Sequence, residues 1–213
     1  MSASVDATPR RVVVVSAGLG KPSSTRMLAD RLSAAVVAGL GDLGVAAEVE
    51  TVELRDLAHP VVDAMLTGFA SGELARVVDA ISRADAVVAV SPVFTASYSG
   101  LFKSFVDVLD PDALTGVPVL LGATGGTARH SLALDHAFRP LFAYLRADVA
   151  TTAVFAATDD WATGQDGVRD DVRPLGERIS RAGRELARTV AARAPREVND
   201  PFGDAPSFES LLG

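Results

Sequence analysis

Three short runs of apolar, mostly β-branched residues restrict what this chain can become: RVVVVS at 11–16, DAVVAVS at 85–91 and VPVLLGA at 117–123. None alternates apolar with polar. An unbroken apolar run of this length suits a strand covered on both faces, whereas a strand with one wet face would alternate. Segments of helical spacing separate the runs. Met27, Leu28, Leu32, Ala35, Val36 and Leu40 recur at that spacing from Thr25 to Leu40, and 46–54 (AAEVETVEL) then alternates like a strand. Residues 73–83, 99–109, 128–146 and an arginine-rich stretch at 168–193 read as helices, and 148–155 (DVATTAVF) as a last strand. Strands alternating with helices in this way make βαβ units. The expected class is α/β, with one parallel sheet and helices on both faces.

The length, 213 residues, suits one domain with an ample core. The boundaries read as a flexible segment at 1–10, a folded unit at 11–193, and an extended or disordered tail at 194–213. The chain has no cysteine, which excludes disulfides, Cys-ligated zinc, iron–sulfur clusters and thiol nucleophiles. His59, His130 and His136 form no HExxH pair, so no metal site is expected. With 20 basic and 27 acidic residues the net charge is −7, which argues against binding nucleic acid or an anionic membrane. No apolar run approaches the roughly 18–20 residues of a membrane span. The first nine residues, MSASVDATP, lack the apolar core of a signal peptide, and a cytoplasmic protein is expected.

Parallel sheets bind ligands outside the carboxyl ends of their strands, where the strand order reverses. Here the loops after the first, third and fourth strands are rich in Gly, Ser and Thr. The first, Ser16 to Thr25 (SAGLGKPSST), leads into a helix start, whose free N–H groups and positive dipole end favour an anion. The hydroxyls of Ser23, Ser24 and Thr25 would add short donors, making a phosphate cradle without an obligatory Lys or Arg. A plain N-cap is the simpler role for Ser23 or Ser24. The P-loop pattern fails because Pro22 follows Gly20-Lys21. Gly18 to Ser23 is a near miss of GxGxxG, and with Glu48 or Glu50 as a ribose acid it keeps a dinucleotide module open.

In the second loop Pro92 fixes the exit from the strand. The N–H groups of Val93, Phe94 and Thr95 are then placed to meet a polar ring edge, with the Phe94 side chain as apolar cover. The third loop, Thr124-Gly125-Gly126-Thr127, permits positive φ and close approach of backbone to a ligand, or marks a tight turn. No GxSxG motif or Ser–His–Asp order accompanies these loops.

The stretches SAGLGKPSSTRMLA, SPVFTASYSGLFKSFVD and ATGGTARHSLALDHAFRP resemble the NAD(P)H-dependent FMN reductase family, over roughly residues 11–155. The likeness is greatest to reductases that feed two-component, luciferase-like monooxygenases such as the alkanesulfonate systems. It implies a flavodoxin-like three-layer sandwich with a five-stranded parallel sheet in the order 2-1-3-4-5. It implies FMN and NADPH or NADH as cofactors, a homodimer or homotetramer, and a flavin-dependent monooxygenase as partner. By the same likeness Ser16, Ser23, Ser24 and Thr25 would hold the FMN phosphate and ribityl chain. Pro92, Val93, Phe94 and Thr95 would line the isoalloxazine, and Thr124, Gly125, Gly126 and Thr127 would complete the ring-edge pocket. Leu19 departs from the family, which often has Arg there. No catalytic side chain is expected, because the flavin carries the hydride chemistry. The alternative is a tight FMN-binding quinone or azo reductase, or an electron carrier.

Pro140 lies inside the helix expected at 128–146, where it cannot donate to the carbonyl of His136; a kink or a π-bulge relieves such a site. In the resembling reductases a one-residue π-helical insertion sits here near a subunit interface, and His136 would occupy its place and tune assembly and flavin exchange. A simple kink with His136 half-exposed is the alternative. Arg129 and His130 face either a nicotinamide phosphate or solvent. Arg178, Arg181, Arg184 and Arg188 fall on one helix face and are expected to be solvated, with Asp or Glu partners. Phe202 and Phe208 would dock on a second subunit if the tail is ordered.

Overall fold

The structure, a computed structural model, describes residues 8–162 and 173–197. In chain order it comprises β1 (Arg10–Ser16), α1 (Ser24–Asp42), β2 (Ala47–Glu53), a 3-10 turn (Leu54–Leu57), α2 (Ala58–Thr67), α3 (Gly72–Ser82), β3 (Ala86–Phe94), β4 (Ser97–Tyr98), α4 (Gly100–Val108) and β5 (Pro118–Gly125). A 3-10 turn (Ala128–His130) and a π-helical turn (Leu134–Phe138) precede α5 (Arg139–Tyr144), β6 (Asp148–Val149), β7 (Val154–Ala157), α6 (Asp159–Ala162) and α7 (Leu175–Ala191). The parallel sheet runs β2-β1-β3-β5, and both β6 and β7 pair with β5 at its far edge. Counting β6 and β7 as one interrupted strand, this is the flavodoxin-like order 2-1-3-4-5. The order reverses at β1, which has β2 on one side and β3 on the other.

The unbroken apolar runs are explained by two cores. Val13 and Val15 of β1 face a core shared with α2, α3, α4 and α5, whereas Val12 and Val14 face one shared with α1 and α7. Leu28, Leu32, Val36 and Leu40 of α1 are fully buried in the second core, each contributing about 1.5–3 kcal/mol. Small residues let α1 and α7 approach closely. A Cβ on Gly39 would lie 2.9 Å from that of Ala187, and one on Gly183 2.5 Å from that of Ala35.

Several expectations are corrected. The segment 46–54 is followed by a further helix, α2; Pro60 in its first turn and Gly68 at φ 84° just past its end are start and stop signals that its residues did carry. The third strand runs on to Phe94 and turns back as β4. The last strand is interrupted: from Val119 to Gly122 β5 advances three residues, while its partner advances five, from Val149 to Val154. Glu185 of α7 and Arg139 hold the resulting bulge. Glu185 accepts the Thr152 N–H at 3.0 Å, and Arg139 donates to the carbonyls of Ala150 and Thr151.

The helix expected at 128–146 is broken into a 3-10 turn, a π turn and α5. The Arg139 N–H bonds the carbonyl of Leu134, five residues back, directly before Pro140, and His136 is exposed. Arg178 has the expected acidic partner, Asp160 at 2.6 Å, but it is half-buried and not fully solvated, and it also donates to the Phe155 carbonyl. Residues 194–197 form neither helix nor strand, and the Arg196 N–H bonds Asp85 beneath the sheet. The expectations for 1–7, 168–172 and the rest of the tail, with Phe202 and Phe208, lie outside the described residues. No helix among the described residues is long and apolar enough to cross a membrane.

Candidate functional site

β1, β3 and β5 are neighbours in the sheet, so their carboxyl ends bring the three glycine- and hydroxyl-rich loops side by side. Ser16 pairs with Val90 in register, and Pro92 with Thr124. The site therefore stands at the reversal point of the sheet, where no strand blocks the crevice.

The first loop ends on Ser23, the N-cap of α1, whose Oγ accepts from the Arg26 N–H at 3.1 Å. Capping is thus one role of Ser23. The helix start still carries N–H groups that have no partner within the helix. Ser16 is 1% exposed, and its Oγ has no hydrogen-bond partner. A buried hydroxyl without a partner is costly, and a ligand polar atom would satisfy it. Gly18 leaves the room that Ser23 needs, because a Cβ there would fall 2.1 Å from Ser23 Oγ. Ser24 is exposed. Thr25 is buried and turned inward, its Oγ1 2.8 Å from Thr124 Oγ1.

Two arginines stand beside this loop. Glu53, the last residue of β2, holds Arg26 through one carboxylate oxygen and Arg55 through the other, each at 2.7 Å. Arg55 donates to the Gly20 carbonyl at 2.7 Å. Its bond to Asp30 raises the pKa of Arg26 above its ordinary value; part burial opposes this and Glu53 adds to it. Sequence reading missed Glu53, Arg26 and Arg55. A Glu at the end of β2 with Arg two residues on was the available signal. Glu50, by contrast, pairs with Arg76 on α3 and does not reach the carboxyl edge as a ribose acid would.

The second loop is a tight hairpin. Thr95 and Ala96 both adopt positive φ, 49° and 68°, and Ser97–Tyr98 pairs back on Val93–Phe94. Two successive left-handed residues match the twist of a two-residue hairpin, a position that favours Asn or Gly. In Thr the conformation is strained, and such strain concentrates at functional sites. Ser91, fully buried, closes the base: its Oγ accepts the Ser99 N–H at 3.0 Å, and Ser99 Oγ caps α4 through the Phe102 N–H. Phe94 stands 47% exposed at the tip. Tyr98 packs on Phe102 and Phe138 at centroid distances of 5.9 and 5.5 Å, so the hairpin rests on the π turn.

The third loop differs from expectation in one respect. Neither Gly125 nor Gly126 has positive φ. Gly125 is the last residue of β5, and a Cβ there would meet Phe155 Cζ at 2.8 Å. Its lack of a side chain serves packing against β7. Gly126 has open space around it, Thr127 is exposed, and Arg129 and His130 beyond it are exposed too. An open cavity of about 350 Å³ lies between the π turn and the 150–153 bulge, lined by Leu132, Arg139, Thr152, Phe155 and Arg178 among others.

A doubly wound parallel sheet whose strand order reverses at β1 is the flavodoxin-like fold. A WrbA-like flavodoxin from Agrobacterium tumefaciens shares that fold, with TM-score 0.52 at 15% identity, over 87% of this chain and 97% of the other. The model of the family described as NADPH-dependent FMN reductase matches residues 10–162, and the chain belongs to that family. A Pseudomonas aeruginosa FMN reductase (NADPH) is 38% identical over 88% of this chain and 96% of its own length. An NADH-dependent FMN reductase, SfnF, from Pseudomonas putida is 40% identical over 70% and 78%. Among solved structures, an oxidoreductase from Corynebacterium diphtheriae is 46% identical, with TM-score 0.81 over 87% of this chain and 99% of the other.

Proposed function

We propose that this oxidoreductase takes hydride from NADPH or NADH onto FMN at the crevice between the three loops, and releases reduced FMN to a flavin-dependent monooxygenase. The observation that carries the reading is the buried, unpartnered Ser16 hydroxyl at the sheet's reversal point, beside a helix start with open donors. FMN would supply the hydride-accepting ring; the chain supplies place and orientation. Ser16, Ser23 and Ser24 and the first N–H groups of α1 hold the phosphate and ribityl end, which the α1 dipole favours. Thr25 contributes from beneath, as the strut to Thr124. The N–H groups of Val93 to Thr95, fixed by Pro92 and the strained hairpin, face the ring edge. Thr124 to Thr127 close the far side, and Phe94 sheds water from the reacting face. Hydride transfer needs the donor carbon stacked at about 3–3.5 Å, so a rigid platform is the protein's main contribution.

The protein works in this reading as a cytoplasmic homodimer or homotetramer. Exposed Val62, Met65, Leu66 and Phe69 on and just beyond α2 give it apolar surface for association, and His136 on the π turn tunes assembly. The deciding experiment follows nicotinamide oxidation while free FMN is titrated. Saturable turnover that depends on added FMN supports the reductase. FMN that stays bound through desalting, without such turnover, points to a carrier or quinone reductase. His136→Ala with unchanged quaternary state and flavin turnover removes the role given to His136.

A further inference from the structure

The exposed half of the first loop, Leu19 to Pro22, is held by one side chain among the described residues. Arg55 reaches across from the 3-10 turn after β2 and donates from Nη1 to the Gly20 carbonyl at 2.7 Å. Arg55 is itself immobilised. Its Nη2 pairs with Glu53 at 2.7 Å, its Nε lies 3.6 Å from Asp56, and its side chain is only 17% exposed. Glu53 is anchored in turn, as the register partner of Ser16 and the ion-pair partner of Arg26 in the first turn of α1. The loop carbonyl is therefore tied to a charged assembly rooted in β2 and α1.

A trans peptide points its C=O and the following N–H in opposite directions. Lys21 is not a proline, so the Gly20–Lys21 peptide is trans. With the Gly20 carbonyl turned to Arg55 on the β2 side, the Lys21 N–H points away from β2. Pro22 has no N–H. The Lys21 N–H is thus the last backbone donor before the Ser23 cap.

We propose that Arg55 is a positioning residue that fixes the phosphate-binding shape of this loop, and so sets the preference for FMN over riboflavin without touching the ligand. This rests on the flavin reading above. An anion favours an arrangement of N–H donors facing one way, and a free loop would lose that arrangement to solvent.

The test is fluorescence titration of the full chain with FMN and, separately, riboflavin, which has the same ring and no phosphate. Two variants are used. Arg55→Gln removes the charge while Glu53 keeps Arg26. Arg55→Lys keeps a charge beside Glu53 and loses the fork that bridges Glu53 and Gly20. The expected result is an FMN Kd raised about tenfold in Arg55→Gln, the scale of losing a hydrogen bond to a charged group, and less in Arg55→Lys. The riboflavin Kd stays within about twofold, and kcat at saturating riboflavin is unchanged. Equal weakening of both flavins would mean a general loss of structure and would overturn the proposal. So would an unaltered FMN-to-riboflavin ratio in both variants. Failure of the unaltered chain to bind either flavin would instead overturn the flavin reading, and the proposal with it.

Discussion

The hydroxyls of Thr25 and Thr124 meet at 2.8 Å in the buried floor beneath the three loops, joining the first turn of α1 to the end of β5 across 99 residues of sequence. Neither residue had a reason in the sequence to be paired with the other. The bond fixes the distance between the first and third loops, and with it the width of the crevice.

Thr124→Val keeps the shape and leaves the Thr25 hydroxyl buried without this partner. A loss of about 1–3 kcal/mol is expected, because the desolvation cost of the orphaned group is not recovered. Thr25→Val should cost a similar amount. The double variant should lose less than the two together, since it leaves no orphan. Urea denaturation of all four proteins gives the coupling. Additive losses would mean the two hydroxyls act independently.

Thr95 holds φ 49° in a β-branched residue. The left-handed conformation costs roughly 1–2 kcal/mol outside glycine, against a glycine entropy cost of about 0.5–1 kcal/mol. Thr95→Gly should therefore raise stability by a few tenths to about 1 kcal/mol, read as a higher Tm. The same change frees the turn that fixes Val93 to Thr95, so flavin should bind more weakly. A variant both more stable and tighter-binding would show that the strain has no part in the site.

The layers and sheet order were legible because each buried strand had to be apolar on both faces, and a run such as Val12–Val15 has no other comfortable use. The place of the loops followed from the topology. What escaped were features decided between distant segments. The bulge at 150–153 exists because Glu185 and Arg139 hold it, and each lies at least eleven residues away. The π turn answers Pro140, which could be foreseen, but its exact span depends on where Phe138 packs against Tyr98 and Phe102. The glycine pair was read for conformational freedom, whereas Gly125 answers to the ring of Phe155 on the neighbouring strand. Glu53 and Arg55 were not singled out, because their part depends on the fold that sets Arg55 against the Gly20 carbonyl and Glu53 behind it.

Gly125→Ala tests that steric reading. The added Cβ would lie 2.8 Å from Phe155 Cζ, so the buried ring or the loop must move. Overpacking of this kind costs about 1–3 kcal/mol, and the shifted third loop should weaken flavin binding. Combining it with Phe155→Leu makes room for the methyl. The double variant should then recover flavin affinity beyond Gly125→Ala alone, in the same titration. No recovery would place the need for glycine at the ligand instead of at Phe155.

Glu185 gives the bulge beside the π turn a dependence on pH. Part burial raises its pKa, but the bonds from the Thr152 hydroxyl and N–H, joined by the Thr151 N–H and the charge of Arg181, outweigh it and bring the pKa below its ordinary value. A carboxylate depressed in the folded state contributes stability that is fully present above its unfolded pKa, about 4.3, and lost as pH falls through the folded value. The sign is therefore a loss on acidification, confined to pH below about 5. Glu185→Gln retains an acceptor for Thr152 and removes the titration. Thermal melts from about pH 7 to about pH 3 should show the two proteins converging as the pH falls, with the native chain losing more Tm over the acid limb. Parallel curves would mean that the anchor holds equally well protonated, and that acid unfolding begins elsewhere in the sheet.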